Sequence, residues 1–251
     1  MRDLALLLIL AASGAQAQYT PPPSPPLWQP TMRYVTAGQD EPGYRSWYMA
    51  APWRPAAVRS LNAYLATYQV AGVVPTWQLL RTASDWQRCG GPPFEVAPTS
   101  EWPNIVQTLR YIRDRVIPTV GPVEPVSAYR NPALNHCAGG ANESAHRFMQ
   151  AVDLVPLRPI SREALMRELC AVHRREGEPY GVGLGFYAYH RFHIDTRRFR
   201  NWGFGHAPEA EQCRRDPRPP PPPPPLPAAV APPTDPDPPA AAPDLARPLT
   251  S

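Results

Sequence analysis

Apolar residues recur along the middle of the chain with two different periods. Between residues 56 and 70, Leu61, Leu65 and Tyr68 fall at helical spacing, and Thr76 is placed to cap a second helix through Leu79 and Leu80. The stretch Cys89-Gly90-Gly91-Pro92-Pro93 breaks that pattern and reads as a loop. Ile105, Leu109, Ile112 and Val116 then form one stripe, which predicts a helix over 101–116 with Ser100 as its cap and Pro118 as its end. Beyond this point the period shortens. Residues 125–130 and 151–155 read as short strands, and the Asn-, Gly- and Pro-rich stretch 131–143 as irregular. Helical spacing returns over 162–176, with Leu165, Leu169 and Val172 on one face, Ser161 as cap and Gly177 as terminator. Residues 180–189 and 191–196 read as two more strands, placed to form a hairpin. Helices first, then strands mixed with a helix, predict an α+β domain: a helical N-terminal part packed on a small, mainly antiparallel sheet. Gly181, Gly183 and Gly185 do not make a dinucleotide loop, because the residues after them continue as strand instead of opening a helix.

The ends of the chain have a different character. A basic Arg2, an apolar run over 4–12 and the small-x-small site Ala15-Gln16-Ala17 have the layout of a secretory leader over 1–17, with export as the expected consequence. No later segment approaches the ~20 apolar residues a membrane helix needs. Many of the 38 prolines cluster near residues 21–30 and 217–239. Proline lacks a backbone N–H and fixes φ, so these stretches favour extended spacers over a packed core. The expected organisation is a leader over 1–17, a proline-rich segment over 18–52, one folded domain over 53–215 and a proline-rich tail over 216–251, whose partner, if it has one, the sequence does not name.

Charge narrows the function only slightly. The formal net charge is +4, every cation is arginine, and acidic residues are interspersed. No basic stripe with aromatic platforms is present, so nucleic acid is not an expected partner. The four cysteines, Cys89, Cys137, Cys170 and Cys213, all follow the leader. An even count in an exported chain predicts two disulfides, with three connectivities open, and no pair has the close spacing of a metal or redox motif.

The candidate chemistry lies between Ser127 and Asp195. Hydrolytic zinc sites use three protein ligands drawn from His and carboxylate, and keep a fourth position open. His146, Asp153 and His193 would satisfy that requirement, although their spacing alone does not single them out. The residues around them are more specific. Ser127-Ala128-Tyr129-Arg130-Asn131-Pro132, closed by Asn135, is followed by Gly139-Gly140, by Ser144-Ala145-His146 leading to Ala151-Val152-Asp153, and by His193-Ile194-Asp195. In this order the motifs resemble those of the M15 family of zinc D-Ala-D-Ala carboxypeptidases and related cell-wall endopeptidases. The resemblance covers about 80 residues, from Ser127 to Trp202.

The resemblance implies one Zn2+ per chain, held by His146, Asp153 and His193 on the sheet, and a peptidoglycan stem peptide as substrate in the periplasm or outside the cell. Arg130 would donate to the substrate carbonyl and the developing oxyanion. Ser144 would hydrogen-bond the substrate backbone or its terminal carboxylate, or else cap the turn before His146. Asp195, on the same strand face as His193, would orient a ligand or hold a substrate amine. Cysteine positions in related enzymes suggest pairing Cys89 with Cys137 and Cys170 with Cys213. Cleavage at the end of the stem or within it is left open.

Two positions depart from the family pattern. Met149 stands where the family has Gly, so either the path to Asp153 differs or Met149 lines the pocket. His190 stands three residues before the last His ligand, where some branches carry a Glu that acts as general base. Histidine can do such work, but on a regular strand positions 190 and 193 face opposite ways, so this role requires a bend. Without that base, the domain would be a zinc-stabilised module that binds cell wall without cleaving it. A further reading makes it a scaffold for the proline-rich tail. His136, His173 and His206 read as surface or structural residues.

Overall fold

The computed structural model describes residues 28–203 and Cys213. The expected leader over 1–17 and tail over 216–251, and His206, lie outside the described residues. Among the described residues, no helix is long and apolar enough to cross a membrane.

The first helix, α1 (Glu41–Met49), starts where Asp40 accepts a hydrogen bond from the Gly43 amide at 2.9 Å, with Pro42 in the first turn. It belongs to the same packed unit as the rest: Trp47 is buried with its ring 5.9 Å from that of Phe94. Just upstream, the fully buried Gln39 donates to the carbonyls of Ala83 and Pro93. The core therefore reaches upstream of the expected boundary at residue 53. The signal was carried by a single aspartate cap and one tryptophan inside a proline-rich stretch.

Helix α2 (Arg54–Thr67) buries Val58, Leu61 and Leu65 on one face. The short α3 (Thr76–Leu79) is not capped by Thr76, whose hydroxyl donates instead to Asn62 Oδ1 at 2.6 Å. Helix α4 (Trp102–Tyr111) buries Ile105 and Leu109, as the stripe predicts, but Ser100 makes no cap, and Pro118 does not end the helical path. The path passes through a π-helical turn over Ile112–Val116 into α5 (Ile117–Val120) and stops at Gly121, whose φ is 84°. Pro118 has no N–H to donate and its ring crowds the carbonyl four residues back; the wider π turn accommodates both.

Five strands form one sheet in the order β1-β2-β4-β3-β5. They are β1 (Val123–Ser127), β2 (Ala151–Pro156), β3 (Gly183–Phe186), β4 (Phe192–Asp195) and β5 (Arg200–Gly203). All pairings are antiparallel except β3 with β5, so the α+β expectation holds. Strand β1 carries Pro125, which the ladder tolerates because β1 is an edge strand with a register irregularity between Pro125 and Ser127. Asn131 caps α6 (Pro132–Cys137) through the Leu134 amide at 2.9 Å, so the stretch expected to be irregular holds a short helix. In α7 (Arg162–Glu176), Ser161 accepts from the Ala164 amide as predicted. The two disulfides are Cys89–Cys137 and Cys170–Cys213. The first ties the loop between α3 and α4 to α6, and the second ties α7 to the chain beyond β5.

Strand alternation sorts the sheet into two faces. Val152, Leu154, Leu184, Phe186, Phe192 and Ile194 belong to the hydrophobic core that also holds α4 and α7 side chains. The opposite face carries two polar rows in register. One row runs Ser127, Asp153, His193, Gly185, Trp202, and the next runs Ala151, Asp195, Gly183, Arg200.

A candidate metal centre and its cleft

Asp153 and His193 are direct cross-strand partners at the middle of the sheet. His146 comes from outside it, on a single 3-10 turn (Ala145–Phe148) that leads into β2. The turn is held by the Arg130 amide donating to His146 O at 3.0 Å and the Gln150 amide donating to Ala145 O at 3.0 Å. Three donor atoms converge. His146 Nε2 lies 3.2 Å from both Asp153 Oδ1 and His193 Nδ1, and His193 Nδ1 lies 2.9 Å from Asp153 Oδ1. All three residues are buried.

The outer atoms of both imidazoles fix their tautomers. His146 Nδ1 is 2.6 Å from the Ala128 carbonyl, which can only accept, so that nitrogen carries the proton and Nε2 turns its lone pair to the centre. His193 Nε2 is 2.8 Å from Asp195 Oδ2, which leaves Nδ1 facing the centre in the same way. With both imidazoles neutral, two lone pairs and a carboxylate oxygen face one small space, an arrangement that could hold a metal ion. A tetrahedral ion with bonds near 2.0–2.1 Å sets its ligand atoms about 3.3 Å apart, close to the edges of this triangle. The residues fit a divalent metal of the zinc type.

The electrostatics follow from burial and neighbouring charge. Burial and the adjacent Arg130 push the His146 pKa down to about 4, with Asp153 opposing them. Burial alone would raise the Asp153 carboxyl, but His146, His193 and Arg130 hold it well below the usual range. Burial alone would lower His193, yet its hydrogen bonds to Asp153 and Asp195 raise it. In the absence of a metal, the cluster draws positive charge onto His193.

The predicted site residues separate into those that reach the cluster and those that do not. Arg130 does: Nε donates to Ser127 Oγ at 2.8 Å and Nη2 to Asp153 Oδ2 at 2.6 Å. Ser144 lines the cleft beside His146 and makes no capping hydrogen bond with its side chain. Asp195 shares the face of His193, as alternation predicts, but it is fully buried and cannot meet a substrate amine. Its oxygens accept from His193, from the Arg197 amide and from both terminal nitrogens of Arg200.

His190 does not reach the cluster. It lies in the β3–β4 turn beyond the left-handed Tyr189 (φ 59°), and its ring packs edge-on against Trp28 at 4.8 Å, in a separate hollow with Tyr34 and Pro159. The bend that a base at this position requires turns it away from the metal ligands. Met149 does not line the cleft either. It is buried in the core and keeps the left-handed conformation that suits glycine, with φ 47°. His173 is structural, buried and stacked on Phe199 with ring centroids 4.5 Å apart.

The cluster opens onto a cleft of about 520 Å³. Its wall includes residues that motif spacing does not single out: Tyr187, Arg191, Arg198, Arg200 and Trp202. Burial and the nearby Asp153 charge raise the Tyr187 phenol, so it stays protonated at neutral pH. The strand glycines make room for this wall. A Cβ on Gly185 would stand 2.3 Å from the Trp202 ring, and one on Gly183 would stand 2.3 Å from Asp195 Oδ2. The only available sequence signal for Arg191 was period two, since it precedes His193 by two residues.

No curated protein and no solved structure matches this chain. Residues 77–195, which contain Arg130 and all three donors of the cluster, match the family model described as Peptidase M15, and that match supports placing the domain in the M15 peptidase family, whose members are metal-dependent.

Proposed function

We propose that the protein is an exported zinc peptidase that hydrolyses a peptide bond in peptidoglycan stem peptides, with His146, Asp153 and His193 holding one ion. The observation that carries this reading is the convergence of three metal-donor atoms, 2.9–3.2 Å apart, from residues of which His146 and His193 line an open cleft. When bound there, zinc polarises a scissile carbonyl and acidifies water. The chain's own residues supply the remainder. Ala128 O and Asp195 orient the two imidazoles. Arg130, fixed by Ser127 and Asp153, keeps Nη1 without a protein partner among the described residues and faces the cleft, placed to donate to the substrate carbonyl and to the oxygen that gains charge. Ser144 offers its hydroxyl to the peptide backbone. Two disulfides agree with export to an oxidising compartment.

The test is release of D-Ala or stem fragments from purified stem peptide, abolished by a chelator and restored by zinc, with His146→Ala as the control. Turnover by that variant equal to wild type would sink the reading.

A second reading draws on the carboxylates of the cleft wall. Asp85 and Glu143 line it, but each is paired with an arginine, and His190 lies elsewhere. A domain with no free general base would bind cell wall through a zinc-stabilised fold without cutting it. One zinc per chain, retained sedimentation with wall, and no cleavage of any stem peptide would select this alternative.

A further inference from the structure

Four arginines line the cleft: Arg130, Arg191, Arg198 and Arg200. Two are already neutralised, Arg130 by Asp153 and Arg200 by Asp195. The carboxylates on the wall are engaged as well, Asp85 with Arg88 and Glu143 with Arg197. Arg191 and Arg198 have no carboxylate partner among the described residues. The cleft therefore presents two uncompensated guanidinium groups beside the metal-ligand cluster.

Arg191 is held in place while its charge is left open. Its guanidinium stacks over the Tyr187 ring at 3.9 Å from the centroid, with the Tyr34 ring at 5.3 Å, and its Nε is buried with no hydrogen-bond partner. Stacking fixes the plane of the fork and leaves its edge free for a planar anion. A partly desolvated cation without a counter-charge is costly in a finished fold, so a ligand is the natural partner. Position adds to this. Arg191 lies two residues before His193 on the same face, which sets their Cα atoms about 7 Å apart. A group held by Arg191 thus lies within roughly two residues of a bond placed at the cluster.

We propose that Arg191 and Arg198 form a carboxylate-binding subsite, seating a carboxylate of the peptide whose scissile bond lies at His146, Asp153 and His193. This rests on the peptidase reading of the cleft. Either the C-terminal carboxylate of the peptide or an acidic side chain has the required chemistry. The first makes the enzyme cut at the end of a stem, and the second lets it cut within one.

The experiment is calorimetric binding to the full-length, chelator-treated protein, with three probes. These are N-acetyl-D-Ala-D-Ala, its C-terminal amide, and a C-terminally amidated peptide bearing one glutamate side chain. Wild type should bind at least one carboxylate probe roughly 10- to 100-fold more tightly than the amide. Whichever probe gains identifies the source of the carboxylate. Arg191→Gln and the more exposed Arg198→Gln should each remove most of that preference, with thermal melts confirming folded protein. Equal binding of acid and amide by wild type, full preference in both variants, or no binding of either carboxylate probe at millimolar concentration would overturn the subsite. The readout needs no turnover. Arginine-dependent carboxylate binding, together with no release of stem fragments once zinc is restored, therefore sinks the peptidase reading alone, and zinc-dependent hydrolysis by protein that binds acid and amide equally sinks the subsite alone.

Discussion

Asp195 shows how a fully buried residue can shape the cluster. Its two oxygens accept from His193 Nε2, from the Arg197 amide and from Arg200. The first of these bonds decides which His193 nitrogen keeps a lone pair for the metal. Asp195→Asn keeps the shape but removes the charge, and its amide competes for the wrong tautomer. Metal affinity should fall roughly 10- to 100-fold, measured by zinc competition with a chromogenic chelator; unchanged affinity would reduce Asp195 to a filler. Met149 poses a different residue-scale question, because its buried side chain and its left-handed backbone pull in opposite directions. Met149→Ala loses the packing and keeps the strain, a cost of about 2–4 kcal/mol. Met149→Gly loses the same packing but recovers about 1 kcal/mol of backbone strain. Urea unfolding should therefore find the glycine variant no less stable than the alanine one. The reverse order would mean that the left-handed turn carries no strain.

Among the elements, legibility tracked how local the cause was. The stripes over α4 and α7 and the Ser161 cap could be read directly, because one helix's periodicity and one hydroxyl determine them. The helical path past Pro118 could not, since it depends on a π turn that compensates for the missing N–H. The residues of the cluster that could hold a metal were legible through linked motifs, whereas the burial of Asp195 was not: it depends on Arg200 of β5, a strand that pairs in parallel with β3. His190 was misplaced because a three-residue offset says nothing about the left-handed turn at Tyr189. Helix α7 carries a testable element of its own. Burial lowers the pKa of His173, opposed by its bond to Val182 O at 2.9 Å. Below pH 6.5 the unfolded chain then binds more protons than the folded one, so this contribution is complete above that pH and is lost as pH falls. His173→Gln should flatten the decline in urea midpoint between pH 7.5 and 5 when wild type and variant are compared metal-free, a state in which the distant His146 and His193 contribute equally to both. An equally steep decline in the variant would assign it to other groups.

Taken as a molecule, the site joins side chains from several separate segments of the fold. Asp153 sits on β2, His193 on β4 and His146 on a turn outside the sheet, while the supports come from Ala128 after β1 and Arg200 on β5. A metal at their centre is therefore a cross-link among parts of the chain far apart in sequence. Binding to the folded state alone stabilises it by RT ln(1 + [L]/Kd), about 2.7 kcal/mol at a hundredfold excess over Kd. For a unit of this size each kcal/mol moves the midpoint by roughly 2–4 °C, so near-saturating zinc should raise the melting temperature of chelator-treated protein by about 5–10 °C. The disulfides, each closing a loop of more than 40 residues, act mainly on the unfolded chain and should leave that increment unchanged. His146→Ala removes one donor while leaving Asp153 its Arg130 partner, so the variant should fold and lose the zinc-dependent shift. A shift of the same size in that variant would mean that zinc binds elsewhere, and the triangle of His146, Asp153 and His193 would lose its claim to the metal.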